Sequence, residues 1–251
     1  MVTLATTIHD PEGRIKDKIE NSFSFVEGKF EDISLSYTPQ THKSTIQALK
    51  RRELILSKGS RNQNKTYSKS IEKALTTQPK HIMCIDLDRI LHWINSYCEE
   101  LRKCIQKITD YEFLLFGRTK RAFETHPITQ VKTERIANKI ASYVLKFDET
   151  RDIISACWSF EPSLAKKIID LSSVNPVGFY CRWPIEAWKM GKNTDYREVE
   201  GLEWETPERF ESEIEKFGYD AWLEKFTSSE EWEKRVNLLN GVVDSLFENY
   251  L

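Results

Sequence analysis

His81-Ile82-Met83-Cys84-Ile85-Asp86-Leu87-Asp88 is the stretch on which the fold turns. Its apolar residues from Ile82 to Ile85 run without polar alternation, the pattern of a strand buried on both faces of a mostly parallel sheet. Two carboxylates follow at once, one residue apart. Open α/β sheets bind ligands beyond the carboxyl ends of their strands, so this run predicts both a central strand and the place of a site.

Upstream, the chain passes three times through strand, turn and helix. Val2-Thr3-Leu4-Ala5-Thr6-Thr7-Ile8 is β-rich and stops at His9-Asp10-Pro11-Glu12-Gly13, after which Ile15, Ile19, Phe23 and Val26 recur at helical spacing. Ile33-Ser34-Leu35-Ser36-Tyr37 reads as a second strand, Thr38-Pro39-Gln40-Thr41 as a turn and helix cap, and Ile46 and Leu49 lie on the next helix. Glu53-Leu54-Ile55-Leu56 is a third strand, followed by a polar loop over 57–64 and a helix over 66–75. Such alternation specifies right-handed βαβ units and a doubly wound sheet.

Downstream, the pattern predicts a long helix over 88–107, a strand over 111–116 and a helix within 125–145. A strand over 153–156, helices near 163–171 and 183–190, and a strand near 196–202 come next, then C-terminal helices over 204–226 and 230–247. No repeat and no linker interrupts the series, so the expectation is one domain over 1–251.

Composition sets the class. Of 251 residues, 39% are hydrophobic and 30% charged, far from the signature of disorder. The net charge of −2 conceals an asymmetry: 43–73 carry nine Lys/Arg against two Glu, and 195–251 carry sixteen Asp/Glu against six Lys/Arg. The basic stretch suits phosphates, but it lacks the interleaved aromatic platforms of single-strand binders, and no nucleic-acid partner is expected. Cys84, Cys98, Cys104, Cys157 and Cys181 are odd in number and form no CxxC, which reads as reduced, buried thiols. With no signal-peptide pattern and no apolar run as long as a membrane span, the expectation is a cytoplasmic protein whose membrane contact would be peripheral.

Two carboxylates at one strand end raise one another's pKa, and a divalent cation relieves the repulsion. Hard oxygen donors suit Mn²⁺ or Mg²⁺, which can join protein carboxylates to a diphosphate and neutralise a leaving group. The plain alternative is that Asp86 ends the strand and Asp88 caps the next helix.

The order of segments resembles the GT-A glycosyltransferases of the large inverting family that includes cellulose, chitin and polyprenyl-phosphate-sugar synthases. The resemblance covers about residues 1–205. Thr6-Thr7-Ile8-His9-Asp10-Pro11 stands where that family ends its first strand against the nucleotide base. Thr38-Pro39-Gln40-Thr41-His42-Lys43-Ser44-Thr45 takes the place of its Asp-Gly-Ser-x-Asp-x-Thr turn, with the acids lost. The run from Asn62 to Leu75 looks like its Asn-x-Gly helix without the glycine, and Ile82 to Arg89 is similar to its apolar strand closed by Asp-x-Asp.

The resemblance implies a three-layer αβα sandwich on a mostly parallel sheet, with a nucleotide-binding half over 1–110, an acceptor half over 111–205 and a C-terminal helical extension over 206–251. It implies Asp88 as metal ligand, Asp86 on metal or ribose, His9 and Asp10 near the base or ribose, Thr38 near the base and Lys65 near the pyrophosphate. Each of the last four has a plain reading as a turn or surface residue. The implied ligands are a UDP- or GDP-linked sugar, a glycan or other hydroxyl acceptor, and Mn²⁺ or Mg²⁺.

The family places its acidic general base about eleven residues before a helix-ending glycine. Counted back from Gly191, Phe179 and Tyr180 stand there, and Glu186 is the nearby carboxylate. Gly117-Arg118-Thr119-Lys120-Arg121 reads either as a basic loop for an acceptor phosphate or as an exposed turn. Trp158, Trp183, Trp188 and Trp204 can stack on a sugar or fill a core. Rival functions are a sugar-phosphate nucleotidyltransferase, against which stands the absence of a glycine-rich loop after the first strand, and a degenerate domain that binds nucleotide or glycan without turnover. The acidic C-terminal helices could cover the sheet or join copies in a homo-oligomer.

Overall fold

Every residue of the first strand, β1 (Val2–Ile8), is buried, because β1 lies near the middle of a seven-stranded sheet with order β3-β2-β1-β4-β6-β5-β7. The computed structural model describes residues 2–170 and 177–247. After β1 come α1 (Lys16–Glu27), β2 (Ile33–Tyr37), α2 (Lys43–Leu49), β3 (Ile55–Lys58), α3 (Gln63–Leu75) and β4 (His81–Asp86). The centre of the chain holds α4 (Leu87–Ser96), α5 (Cys98–Ile108), β5 (Phe113–Arg118), α6 (Lys120–Glu124) and α7 (Ile128–Val144). The rest comprises β6 (Trp158–Phe160), α8 (Pro162–Asp170), α9 (Phe179–Lys189), β7 (Thr194–Val199), a 3₁₀ turn (Thr206–Arg209), α10 (Glu211–Phe217), α11 (Tyr219–Leu223), the 3₁₀ turn Glu224–Phe226 and α12 (Ser229–Phe247).

The sheet is parallel throughout except for β6, which runs antiparallel between β4 and β5. Its two faces sort the apolar residues by the strand period of two. Leu4, Met83, Ile85, Leu114 and Phe116 enter one core with residues of α1, α2, α4 and α5. Ala5, Ile82, Cys84, Phe113 and Leu115 enter the other, with residues of α3, α7, α8, α9 and α12. Helix, sheet and helix thus form the three expected layers, with β4 central as its unbroken apolar run requires. No helix among the described residues is long and apolar enough to cross a membrane.

Several elements depart from the sequence pattern. The helix expected over 88–107 breaks at Tyr97, whose backbone is non-helical (φ −137°, ψ 44°) and whose hydroxyl donates to Glu203 at 2.9 Å. Residues 153–156 are apolar and buried but form no strand: the amides of Ile153 and Ile154 donate to Asn138 Oδ1 at 2.8 and 3.1 Å, and Ala156 has φ +62°. A side chain satisfies the backbone there, and the strand begins at Trp158. The third and fifth strands each lie two residues later than expected, the helix expected over 183–190 starts at Phe179, and the acidic stretch 204–226 is four short turns and helices rather than one. Leu171, the end of the helix expected over 163–171, lies outside the described residues.

Gly201 holds the segment after β7 against α4. A Cβ at this position would lie 1.9 Å from the Trp93 ring, and the Gly201 amide donates to Glu100 Oε2 at 2.9 Å, as does Trp93 Nε1. Gly201→Ala overpacks this contact. The expected cost is about 1–3 kcal/mol, read as a lowered urea midpoint with an unchanged m-value.

Candidate functional site

The carboxyl ends of β1, β2 and β4 open into a cavity of 380 Å³, within the range of small-ligand sites. His9 follows β1, Thr38 follows β2, and Asp86 ends β4; these line the cavity with Asp88, Arg61 and Arg209. His9 Nδ1 and Thr38 Oγ1 lie 2.8 Å apart, so the two strand ends meet directly.

Asp86 is fixed from two sides. Thr7 Oγ1 and Tyr67 Oη both donate to its Oδ1, at 2.6 and 2.5 Å. Burial, and then the neighbouring charge of Asp88, push the Asp86 carboxyl above its ordinary range. Asp86 occupies the N-cap position of α4 but makes no capping bond through its side chain, and Asp88 lies in the first turn. Asp88 Oδ1 accepts the Arg89 amide at 3.0 Å, so one oxygen of the pair serves the first turn of α4 while both carboxylates line the cavity.

Asp88 Oδ2 accepts from Arg209 Nη1 at 2.8 Å, and the same guanidinium stands 3.8 Å from Asp10 and 3.4 Å from the His9 carbonyl oxygen. Glu205, four residues before it, is 7% exposed, and its Oε2 is buried without a hydrogen-bond partner among the described residues. Burial and the charge of Asp88 push the Glu205 carboxyl up. Arg89 lies among these acids: burial opposes its charge, but Glu205 and Asp86 hold it firmly ionised. Three carboxylates and two guanidiniums thus share the mouth of β4.

Other expected positions divide. Asp10 is fully buried and serves the turn: it accepts from the Arg14 and Ile15 amides at 2.9 and 3.2 Å and from Thr45 Oγ1 at 2.6 Å. It does not line the cavity. Lys65 is exposed on the first turn of α3, where Asn62 accepts its amide at 3.1 Å, and Arg61 rather than Lys65 reaches the cavity. Glu186 is half-buried on α9 and does not line the cavity. Tyr180 accepts from Gln63 Nε2 at 2.5 Å and lines a small space of 80 Å³ behind Asp86. Trp158 and Trp183 are fully buried with ring centroids 5.3 Å apart, Trp188 packs on Phe113 and Phe147, and Trp204 on Trp222 and Phe226.

The pattern of the sequence missed Thr7, Tyr67, Arg61, Glu205 and Arg209. Tyr67 lies inside the quoted helix block, but only the register of α3 against β4 shows that its hydroxyl reaches Asp86. The 3₁₀ turn that carries Arg209 is tied down by Glu208, which pairs with Lys18 and accepts from His92 Nδ1 at 2.5 Å; His92 Nε2 is 3.3 Å from Glu203. Burial works against the His92 charge, but Glu208 and Glu203 raise its pKa above the ordinary 6.5. Burial also works against the Glu208 charge, and His92 and Lys18 bring it down to about 2.

The His92 charge stabilises the fold below pH 6.5 and is lost as pH rises through its raised native value. The Glu208 charge stabilises above its ordinary 4.5 and is lost as pH falls toward about 2. The clamp is complete between these ordinary values, so melting temperature is expected to fall as pH rises from 6 through neutrality. Melts of His92→Gln over the same range are expected to lack that component.

No family model matches the sequence, and no curated protein matches it. Among solved structures the chain is similar to glucosyl-3-phosphoglycerate synthase from Mycobacterium tuberculosis in complex with Mn²⁺, uridine diphosphate and phosphoglyceric acid. Identity is 11% and the TM-score 0.50, over 79% of this chain and 68% of that one. A second structure of the M. tuberculosis synthase gives 12% identity and a TM-score of 0.50, over 87% of this chain and 81% of that one. The fold is GT-A-like. A 4-diphosphocytidyl-2C-methyl-D-erythritol synthase from Anaerococcus prevotii is 10% identical with a TM-score of 0.48, over 87% of this chain and 99% of that one. In this GT-A-like chain, the Asp86–Asp88 mouth lies at the end of the central strand, as the reading of 81–88 predicts.

Proposed function

We propose that this chain is a metal-dependent glycosyltransferase that binds a UDP- or GDP-linked sugar and transfers the sugar to an acceptor hydroxyl, in the cytoplasm. The observation that carries the reading is the convergence of His9, Thr38, Asp86 and Asp88 with two cations, Arg61 and Arg209, on one cavity. The GT-A-like fold supports it, as does the Mn²⁺, uridine diphosphate and phosphoglyceric acid held by a protein of similar fold.

The donor set fits a hard cation. Asp88 and Asp86, which both line the cavity, supply carboxylate oxygens, which Mn²⁺ and Mg²⁺ favour. Among the described residues no three acidic, His or Cys side chains are placed together to hold a metal ion, so the protein supplies two carboxylates and the substrate diphosphate the remaining oxygens, and Arg209 pairs with Asp88. When bound, such an ion neutralises the leaving diphosphate. Thr7 and Tyr67 keep Asp86 oriented, His9 and Thr38 face the base or ribose, and Arg61 faces the phosphates. Calorimetry of UDP and GDP with Mn²⁺ tests the reading: Asp88→Ala is expected to abolish metal-dependent binding, and nucleotide binding indifferent to both metal and mutation would sink it.

A second reading is favoured by the placement of Glu186 outside the cavity. With Phe179 and Tyr180 at the positions of the acids, the domain would hold a nucleotide sugar without turning it over. Release of the sugar by the wild type but not by Glu186→Gln would argue against this reading.

A further inference from the structure

Beyond the carboxyl ends of β5 and β7 lies a second cavity, of 460 Å³. It opens on the same edge of the sheet as the Asp86 cavity. With β6 between β4 and β5, two strand spacings, about 10 Å, separate the ends of those strands. Arg118, Lys120, Arg135 and Arg151 line it together with Phe123 and Tyr196.

The four cations are not equivalent. Arg118 is spent on Asp152, at 2.6 and 2.9 Å, and on Glu134, at 2.5 Å. Arg135 has Glu124 at 3.9 Å. Among the described residues, no ion pair engages Lys120 or Arg151. Of the three lining carboxylates, Asp152 and Glu124 answer those first two arginines, which leaves the exposed Glu198 against two unanswered cations.

Arg151 is nevertheless held in place. Its amide donates to Ser142 Oγ at 2.9 Å, and its guanidinium lies 4.4 Å from the Phe147 ring and 5.2 Å from the Tyr196 ring. Its Nε is buried and, among the described residues, has no hydrogen-bond partner. Tyr196 can cover the end of β5 because residue 117 is glycine; a Cβ there would lie 2.3 Å from the Tyr196 hydroxyl. A guanidinium positioned against two rings, lining the same cavity as the Lys120 ammonium, matches the planar oxygens of a carboxylate or phosphate.

We infer that this cleft is a second ligand site, which takes a small molecule bearing a phosphate or carboxylate on Lys120 and Arg151, with Phe123 and Tyr196 as its apolar walls. The inference stands independently of the nucleotide-sugar reading. It also assigns the basic loop 117–121 residue by residue: Arg118 is structural, Arg121 pairs with Glu200 and Glu203, and Lys120 is left for the ligand.

Inorganic phosphate titrated into the full chain by calorimetry tests it. Arg151→Met is expected to weaken binding at least about tenfold and Lys120→Gln about threefold. Lys103→Gln, at an exposed lysine of α5 that lines neither cavity, is expected to change it less than about twofold. Wild-type affinity in Lys120→Gln and Arg151→Met, or binding that disappears in Arg61→Gln instead, would overturn the inference, and so would a wild type that ignores phosphate at millimolar concentration. Lys120 is exposed and free of packing duties, so its variant keeps the test decisive if Arg151→Met is unstable.

Discussion

Arg118→Leu is expected to destabilise the fold by about 3–5 kcal/mol, a large share of the roughly 5–15 kcal/mol that holds a domain of this kind together. Arg118 is 2% exposed and is the counter-charge for two buried carboxylates, Asp152 and Glu134, each 7% exposed. Burial by itself would push Asp152 up; the Arg118 charge and its bonds, with Asn138 Nδ2 donating at 2.7 Å, bring it below its ordinary value instead. Leucine fills part of the space and leaves both acids without that charge. Asp152 must then take up a proton, so the loss is expected to shrink as pH falls toward 4. Urea midpoints at pH 7 and pH 5 measure this, and Asp152→Asn added to Arg118→Leu is expected to recover part of the stability at pH 7. An Arg118→Leu midpoint within error of wild type would mean that the cluster is not buried as described.

Arg209→Ala is expected to move two affinities in opposite directions. Arg209 Nη1 donates to Asp88 Oδ2 at 2.8 Å, and a cation that takes Asp88 as ligand must displace it. Without the guanidinium, Mn²⁺ alone is expected to bind tighter, by about tenfold or more for a charge-assisted hydrogen bond. Once displaced, Arg209 remains at the cavity lining beside Arg61, where it suits a phosphate. UDP in saturating Mn²⁺ is therefore expected to bind more weakly to Arg209→Ala, by a similar factor. Calorimetry with metal alone and with metal and nucleotide separates the two effects. A variant that weakens both would make Arg209 a brace of the site rather than a competitor.

The half of the fold that the sequence announces is the half built from repeated local signals. β1 to β3 are short β-rich runs, each closed by a turn or polar loop before a helix, and β4 is an apolar run that passes straight into α4, so period and punctuation suffice. Asp86 and Asp88 are legible for the same reason, since they end such a run. Where local signal and tertiary demand part, reading fails. Residues 153–156 have strand composition, but Asn138 from α7 satisfies their amides, and no pattern within 153–156 contains Asn138. Tyr97 has no breaker beside it, and its turn is paired with Glu203 from a distant segment. Glu205 and Arg209 lie in an acidic stretch that reads as a solvated surface. Their place at the mouth of β4 follows from Gly201 on Trp93 and Glu208 on Lys18 and His92, contacts that no spacing encodes.

That same anchoring sets an order of events. Lys18 and Glu208 are 190 residues apart in the chain, and Asp88 and Arg209 are 121 apart. Residues 1–88, which carry most of the cavity wall, leave a ribosome long before Arg209. Domains assemble from the amino-terminal side during synthesis, and contacts so distant in sequence form late. A nascent chain that has passed Arg89 therefore has one of the two guanidiniums of the pair, and a chain stalled before Arg209 leaves Asp88 Oδ2 without its hydrogen-bonded partner. The closing turn of the site is also its last part to be made.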